Sequence, residues 1–352
     1  MAVNPQGPAA EPALPVPAED VDEFLSRPPA RVTEVIAGTP APILVLGAGG
    51  KIGLHLCAML RRAMEEAGRR DPVMAVSRFR TLRDAASFEK FGIPTRVCDL
   101  TVPPELAALP EAPTIFFLAG VKFGTSGAPE LLQKTNVAMP KRVAERFRHS
   151  RIVVFSTGCV YPFVAPASGG ATEETPPAPV GDYAASCLAR EKAFADASRG
   201  EGTAVALVRL NYSVEFRYGL LVDIAERVLR GKPVDVSTGH VNVIWQSDAV
   251  AHAIQALGLA AAPAVPVNIA GREILSVRWL ANRFGELLKR PVRIVGREAD
   301  TAWLSNAARA HRLFGAPPTS AATMVEWTAA WLANGGTTWG KPTAFERRDG
   351  RF

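Results

Sequence analysis

The stretch Ile43-Leu44-Val45-Leu46-Gly47-Ala48-Gly49-Gly50-Lys51-Ile52-Gly53 decides the fold of this chain. Its first four residues are an apolar run of strand length. Gly47, Gly50 and Gly53 then follow in G-x-x-G-x-x-G spacing, and His55 to Arg62 reads as a helix. Glycines at such a turn let the backbone approach a pyrophosphate, and the helix behind them offers N–H donors and a positive dipole end. Lys51 and Ile52 lie inside the same turn. Gly47, Gly50, Lys51, Ile52 and Gly53 are therefore the expected contacts to the phosphates of a dinucleotide.

Outward from this turn, strand-like and helical runs alternate. Strands are expected at Val73 to Val76, Thr95 to Val97, Thr114 to Leu118, Ile152 to Ser156 and Ala204 to Leu210. Helices are expected at Leu54 to Glu66, Gly127 to Phe147 and Tyr183 to Ser198. Strands separated by helices imply right-handed crossovers and a parallel sheet, so the fold class is α/β, a Rossmann-type doubly wound sheet. After Leu210 the rhythm changes to short strands and the amphipathic helices Leu220 to Arg230, Ala249 to Leu257 and Val277 to Leu288, which suggests a smaller C-terminal α/β substrate lobe. The expected organisation is an extension over 1–40, a dinucleotide-binding domain over 41–211 completed by about 237–270, a lobe over 212–334 interleaved with the sheet, and a tail over 335–352. The extension holds seven prolines between Pro5 and Pro29, with short helices expected at Glu19 to Leu25 and Val32 to Ile36.

Bulk composition narrows the function classes. The net charge is +6, yet no run of five like charges occurs and no recognition motif is present, so nucleic acid is not an expected partner. Cys57, Cys98, Cys159 and Cys187 form no C-x-x-C pair, which argues against a zinc site and fits a reducing compartment. No apolar stretch reaches membrane-spanning length, and the start of the chain lacks the pattern of a secretory signal. A soluble, cytoplasmic protein without a membrane or metal partner is the expectation.

Further motifs occur in a fixed order. The strand Ile152 to Phe155 runs into Ser156-Thr157-Gly158-Cys159-Val160-Tyr161-Pro162, and Tyr183 follows. Leu118-Ala119-Gly120 ends the fourth strand, Cys98-Asp99-Leu100 follows the third, and Asn136-Val137 lies in the next helix. With the glycine turn, this order resembles the extended short-chain dehydrogenase/reductases, the NAD-dependent epimerase/dehydratase family. The likeness runs from about residue 43 to 315, and Leu118 to Gly124 is nearest in motif to the UDP-galactose 4-epimerases. The resemblance implies a homodimer, paired through the helices at Gly127 to Phe147 and Tyr183 to Ser198.

It also implies a site. Thr157 would orient the substrate oxygen, and Tyr183 would exchange a proton with it. Tyrosine has a pKa near 10, so a cation must lower it for work near neutrality. The family supplies a lysine four residues after the tyrosine, but Cys187 stands there. Lys122 is the expected replacement, and Arg190, seven residues along the helix, is on roughly the same face. Cys187 leaves a second reading open, a dinucleotide-binding protein without turnover. Gly158 and Cys159 replace the Asp-Glu pair of the dehydratases, which favours an epimerase or a dehydrogenase/reductase.

For the cofactor, Ser77 and Arg78, with Arg80 beside them, replace the acidic residue that receives an unphosphorylated ribose, which favours NADP(H) over NAD(H). Asp99 and Leu100 are expected near the adenine, and Leu118, Ala119, Gly120 and Tyr183 along the dinucleotide. Lys122, Thr125, Ser126, Thr157 and Asn211 are expected around a carbohydrate-like small molecule, with Phe123, Tyr161, Tyr212 and Trp245 as aromatic candidates that could equally be core. Val241 occupies the position of the family's diphosphate-gripping arginine.

Overall fold

The computed structural model describes residues 14–15, 20–80, 82–122 and 127–351. Ile43–Leu46 form β1, buried along their whole length. Around it lie β2 (Val73–Ser77), β3 (Thr95–Val97), β4 (Thr114–Phe117), β5 (Arg151–Thr157), β6 (Val205–Leu210) and β7 (Val265–Ile269). They form one parallel sheet in the order β7-β6-β5-β4-β1-β2-β3. Both faces are covered, which is why β1 and β4 read as unbroken apolar or buried runs rather than alternating ones. On one face Leu54, Met59 and Ile254 join the core with Val45, Phe116 and Val208. On the other, Val143, Phe147 and Phe194 pack on Leu44, Phe117 and Val154.

The order reverses between β1 and β4. At that switch point the connections leaving the two strands run to opposite faces of the sheet and frame a crevice at their carboxyl side. The helix α1 (Gly53–Glu66) starts from the glycine turn, and α2 (Gly181–Glu201) carries Tyr183. The segment expected as one helix over Gly127 to Phe147 contains a π-helical stretch, Gln133–Ala138, between two α-helical pieces. π-Turns concentrate at functional sites, and this one presents Asn136 inward.

The second lobe has its own core, built by α3 (Leu220–Leu229), α4 (Val277–Leu288) and α5 (Ala321–Ala333). Phe216, Trp245, Trp327 and Trp331 pack ring against ring there, with centroids 4.9 to 6.0 Å apart. Segments from the N-terminal extension and the C-terminal tail both join this core. Val21 and Leu25 enter it from the N-terminal extension, and Phe345 enters from the tail. Each of these buried side chains contributes roughly 1.5–3 kcal/mol relative to exposure. The helix α5 escaped the sequence reading because its apolar residues are spread around the whole circumference, so no stripe marks it.

Candidate functional site

The glycine turn shows why each glycine is there. Gly47 has φ +86°, and a Cβ on it would lie 2.6 Å from the Ala119 nitrogen at the end of β4. A Cβ on Gly53 would lie 2.1 Å from the Ala48 carbonyl, so α1 can start only with glycine at that point. Gly50 differs. A Cβ there would meet nothing nearer than the Gly47 carbonyl at 3.6 Å, and the backbone faces the open crevice.

Gly47, Gly50, Ser77, Arg78, Asp99 and Gly120 line this crevice. Leu100, Leu118 and Ala119 complete it. The Arg78 guanidinium lies 3.8 Å from the Asp99 carboxylate and is more than half exposed. An open cradle of backbone, polar strand ends and a helix N-terminus fits a dinucleotide. Two residues of the turn lie elsewhere. Ile52 packs against the sheet core, and the Lys51 ammonium sits 3.2 Å from the centre of the Tyr218 ring in the second lobe.

The catalytic candidates lie at the ends of β5 and α2. Thr157 closes β5, where its hydroxyl accepts the Cys159 N–H at 3.2 Å. A Cβ on Gly158 would lie 2.8 Å from the Ser305 hydroxyl and 3.2 Å from Asn211 Cγ, so a larger side chain there requires those two to shift. Two buried networks fix the helix α2. Asn136 receives the Val121 N–H and donates to the Val121 carbonyl and the Ser186 hydroxyl, tying the β4 loop to the helix. Below them, Glu191 pairs with Arg209 at 2.7 Å and accepts from Ser156 at 2.5 Å. Arg209 also donates to the Tyr161 hydroxyl, which donates to Asn268. This buried pair ties the end of β5 to α2 and β6.

Tyr183, Cys187, Cys159, Lys122 and Arg190 form one electrostatic neighbourhood. Cys187 is fully buried beside Val160, Tyr161 and Ala171. Burial raises its thiol above the ordinary range, so it is neither a thiolate nor a charge source. The Lys122 ammonium lies 5.6 Å from the centre of the Tyr183 ring, and burial lowers its pKa. Arg190 donates to the Phe155 carbonyl at 3.0 Å, while its Nε is buried without a partner. A Cβ on Gly120 would lie 2.3 Å from Arg190 Nη2, so glycine at the end of β4 makes space for the guanidinium. Burial pushes the Tyr183 phenol well above 10, and the field of Arg190 opposes that rise.

Other expected residues are distributed differently. Asn211 is buried and donates to Asn242 at 2.6 Å, and Asn242 donates in turn to the Ser305 carbonyl. Tyr161 and Trp245 are core. Val241 is buried too, so the diphosphate-clamp position is apolar in space as well as in sequence. Phe123, Thr125 and Ser126 lie outside the described residues. No group of three or more His, Cys, Asp or Glu that could hold a metal occurs among the described residues, and no described helix is long and apolar enough to cross a membrane.

A cluster that sequence reasoning missed seals the turn from the N-terminal side. The Asp22 carboxylate accepts from Arg83 at 2.7 Å and Arg217 at 2.6 Å, and contacts His55 Nε2 at 2.9 Å. Burial alone would raise the Asp22 pKa, but hydrogen bonds from His55 and Arg217 outweigh it and hold the carboxyl far below its usual range. His55 is buried and its pKa is lowered, which makes it a neutral imidazole donating to Asp22 and accepting from Gln246 through Nδ1. Asp22 sits beyond the motifs, in a proline-rich segment with no periodicity, so nothing local announces its role.

Comparison with solved structures gives the same architecture. The chain aligns with MoeE5 in complex with UDP-glucuronic acid and NAD at 22% identity, over 84% of this chain and 100% of that one, with a TM-score of 0.68. A UDP-galactose 4-epimerase matches at 23% identity over 83% and 99%, TM-score 0.65. DesIV, the dTDP-glucose 4,6-dehydratase from Streptomyces venezuelae, matches at 20% over 83% and 97%, TM-score 0.70. No curated protein sequence matches significantly. The sequence model of the NAD dependent epimerase/dehydratase family matches residues 43–257, more than half of the chain and the whole glycine-turn-to-Tyr183 core. The protein belongs to the NAD dependent epimerase/dehydratase family, within the extended short-chain dehydrogenase/reductases.

Proposed function

We propose that this protein is a nicotinamide-dependent epimerase or dehydrogenase/reductase acting on a hydroxyl or keto carbon of a sugar, sugar acid or nucleotide sugar. The neighbours crystallised with UDP-glucose, UDP-glucuronic acid or NAD support that substrate and cofactor class. The observation that carries the reading is the cationic setting of Tyr183. The Lys122 ammonium lies 5.6 Å from the centre of its ring, and the field of Arg190 opposes, without cancelling, the rise that burial imposes on the phenol.

The dinucleotide would lie along Gly47, Gly50, Ser77, Arg78, Asp99, Leu118, Ala119 and Gly120, with its nicotinamide end toward Tyr183. When bound it supplies the hydride acceptor or donor. Thr157 holds the substrate oxygen by a hydrogen bond. Tyr183 Oη takes the proton from that oxygen in oxidation and returns it in reduction, while Arg190 and Lys122 stabilise the phenolate. Asn136 and the Glu191–Arg209 pair hold the two elements in register. Ser77, Arg78 and Arg80 favour a 2′-phosphate, and hence NADP(H) over NAD(H). The face of α2 with Ala189, Ala193 and Ala197, beside Val137 and Ala144 of the preceding helical segment, is where two copies would pair as a homodimer.

The test is a calorimetric titration of cofactor-stripped protein with NADPH and NADH, followed by turnover assays on UDP-glucose, UDP-galactose and UDP-glucuronate. Binding with turnover that Tyr183→Phe abolishes supports the reading. Binding without turnover on any sugar substrate leaves the silent, cofactor-binding alternative that Cys187 suggests. Absence of dinucleotide binding overturns the assignment.

A further inference from the structure

The tail after α5 is pinned first to the second lobe. Trp339 donates its N–H to the Arg217 carbonyl at 3.0 Å and stacks on Tyr218 with centroids 5.7 Å apart. Thr343 binds the Asp223 carboxylate through its N–H at 2.7 Å and its hydroxyl at 2.5 Å, and Phe345 is buried in the lobe core. Beyond Phe345 the tail reaches the elements that carry Thr157 and Tyr183.

Two contacts are made there. The Arg348 guanidinium lies 4.1 Å from the centre of the Phe163 ring, and it donates to the Thr301 carbonyl at 2.5 Å and the Thr301 hydroxyl at 3.0 Å. Phe163 lies six residues past Thr157, on the loop that leaves β5, and stacks on Trp303 with centroids 4.4 Å apart. Gly350 is buried against the start of α2. A Cβ on it would lie 2.2 Å from the Val180 carbonyl oxygen, and a Cβ on Gly181 would lie 2.8 Å from the Gly350 Cα. Both glycines have positive φ, +71° at Gly350 and +82° at Gly181, so two backbones meet where no side chain fits. Tyr183 is the second residue after Gly181.

One small apolar cluster lies between these contacts. Cys159 from the β5 loop, Ala184 from α2 and Trp303 from the lobe form it, with Phe163 and Val180 packed against it. Trp303 also donates its indole N–H to the Tyr161 carbonyl at 3.2 Å. The cluster is the joint between the Thr157 loop and the Tyr183 helix. Arg348 meets it at Phe163, and Gly350 meets it at Val180.

We infer that the end of the tail is a strap across this joint, with Arg348 and Gly350 as positioning residues for Thr157 and Tyr183. The inference rests on the roles proposed above for that pair. Arg348 and Gly350 act through Phe163, Val180 and Gly181, and none of these five lines the dinucleotide crevice. Slack at the joint therefore lowers the chemical step, which needs both side chains held in register, and leaves dinucleotide affinity alone.

The experiment compares the full-length protein with Gly350→Ala, Arg348→Gln and Arg347→Gln. Arg347 is an exposed tail residue whose side chain, among the contacts described, bonds only within the tail, to the Arg351 carbonyl, and it serves as the control. Backbone hydrogen exchange is followed over 158–164 and 181–187, with β1 and β4 as the reference for global stability, and kcat and dinucleotide affinity are measured beside it. Both segments should exchange about tenfold faster in Gly350→Ala and Arg348→Gln, with β1, β4 and the Arg347→Gln protein unchanged. In the same two variants kcat should fall about tenfold at constant dinucleotide affinity. Unchanged exchange over the two segments, acceleration shared equally with β1 and β4, the same changes in Arg347→Gln, or an undiminished kcat despite faster exchange would each overturn the strap. If the unmodified protein turns over no sugar substrate, the functional reading fails and the exchange data alone decide the strap.

Discussion

The two halves of the cleft are built in different ways. The dinucleotide half is a backbone construction. Gly47, Gly50 and Gly53 shape it, and Ser77, Asp99 and Gly120 sit at the ends of consecutive or adjacent strands. The proposed proton-transfer half is a side-chain construction. Tyr183 comes from α2, Lys122 from the β4 loop, Arg190 from two turns further along α2, and the seal around Asp22 from the N-terminal segment. A backbone site tolerates exchange of the residues around it, because its donors are N–H groups fixed by the fold. A side-chain site can lose its usual residue, here at Cys187, provided another charge reaches the same volume from elsewhere.

Breaking the side-chain half should have the largest effect. Tyr183→Phe should lower kcat by about 10²–10⁴, the usual worth of a positioned general acid–base, with dinucleotide affinity changed little. A loss of affinity equal to the loss of kcat would place Tyr183 in binding instead. Next comes the N-terminal seal. Asp22→Asn leaves Arg83 and Arg217 without their shared carboxylate and should cost about 3 kcal/mol of stability by denaturant unfolding. The Asp22 carboxyl has a folded pKa below its unfolded value. Its contribution is therefore present above about pH 4 and is lost as the pH falls further, so the gap between the two proteins should close in acid.

The backbone half can be sharpened by substitutions that differ only in available space. Gly53→Ala, with its Cβ 2.1 Å from a carbonyl oxygen, should cost about 1–3 kcal/mol and weaken NADPH and NADH together. Arg78→Ala should do the opposite, leaving stability and NADH binding within a factor of two and reducing NADPH binding about tenfold. If NADPH is unaffected, the preference assigned to Ser77 and Arg78 is wrong.

Much of the backbone half was legible in the sequence. Apolar runs of strand length, glycine spacing and helix periodicity are local signals, and they placed the first six strands of the sheet within a few residues. Helix Val277–Leu288 fell on its expected bounds because its apolar stripe is clean. The other half was legible only in part. The substitution at Cys187 could be read from spacing, and Lys122 could be named as a neighbour of the crevice. The space that Gly120 leaves for Arg190 could not, since it depends on β4 and α2 meeting across the sheet. Asp22 was invisible for the same reason. It acts through contacts 33 to 195 residues away in the chain, with no local pattern to mark it.

The central claim is that Arg190 supplies part of the charge missing at Cys187. It can be measured on the phenol itself. With tyrosines labelled at the ring carbon bearing oxygen, and Tyr183→Phe to identify the resonance among four tyrosines, the NADH-bound protein is titrated with and without Arg190→Gln. Arg190→Lys serves as the conservative control. The account predicts that Tyr183 ionises at higher pH in Arg190→Gln and returns toward the original value in Arg190→Lys. An unchanged Tyr183 titration in a folded Arg190→Gln protein would contradict it.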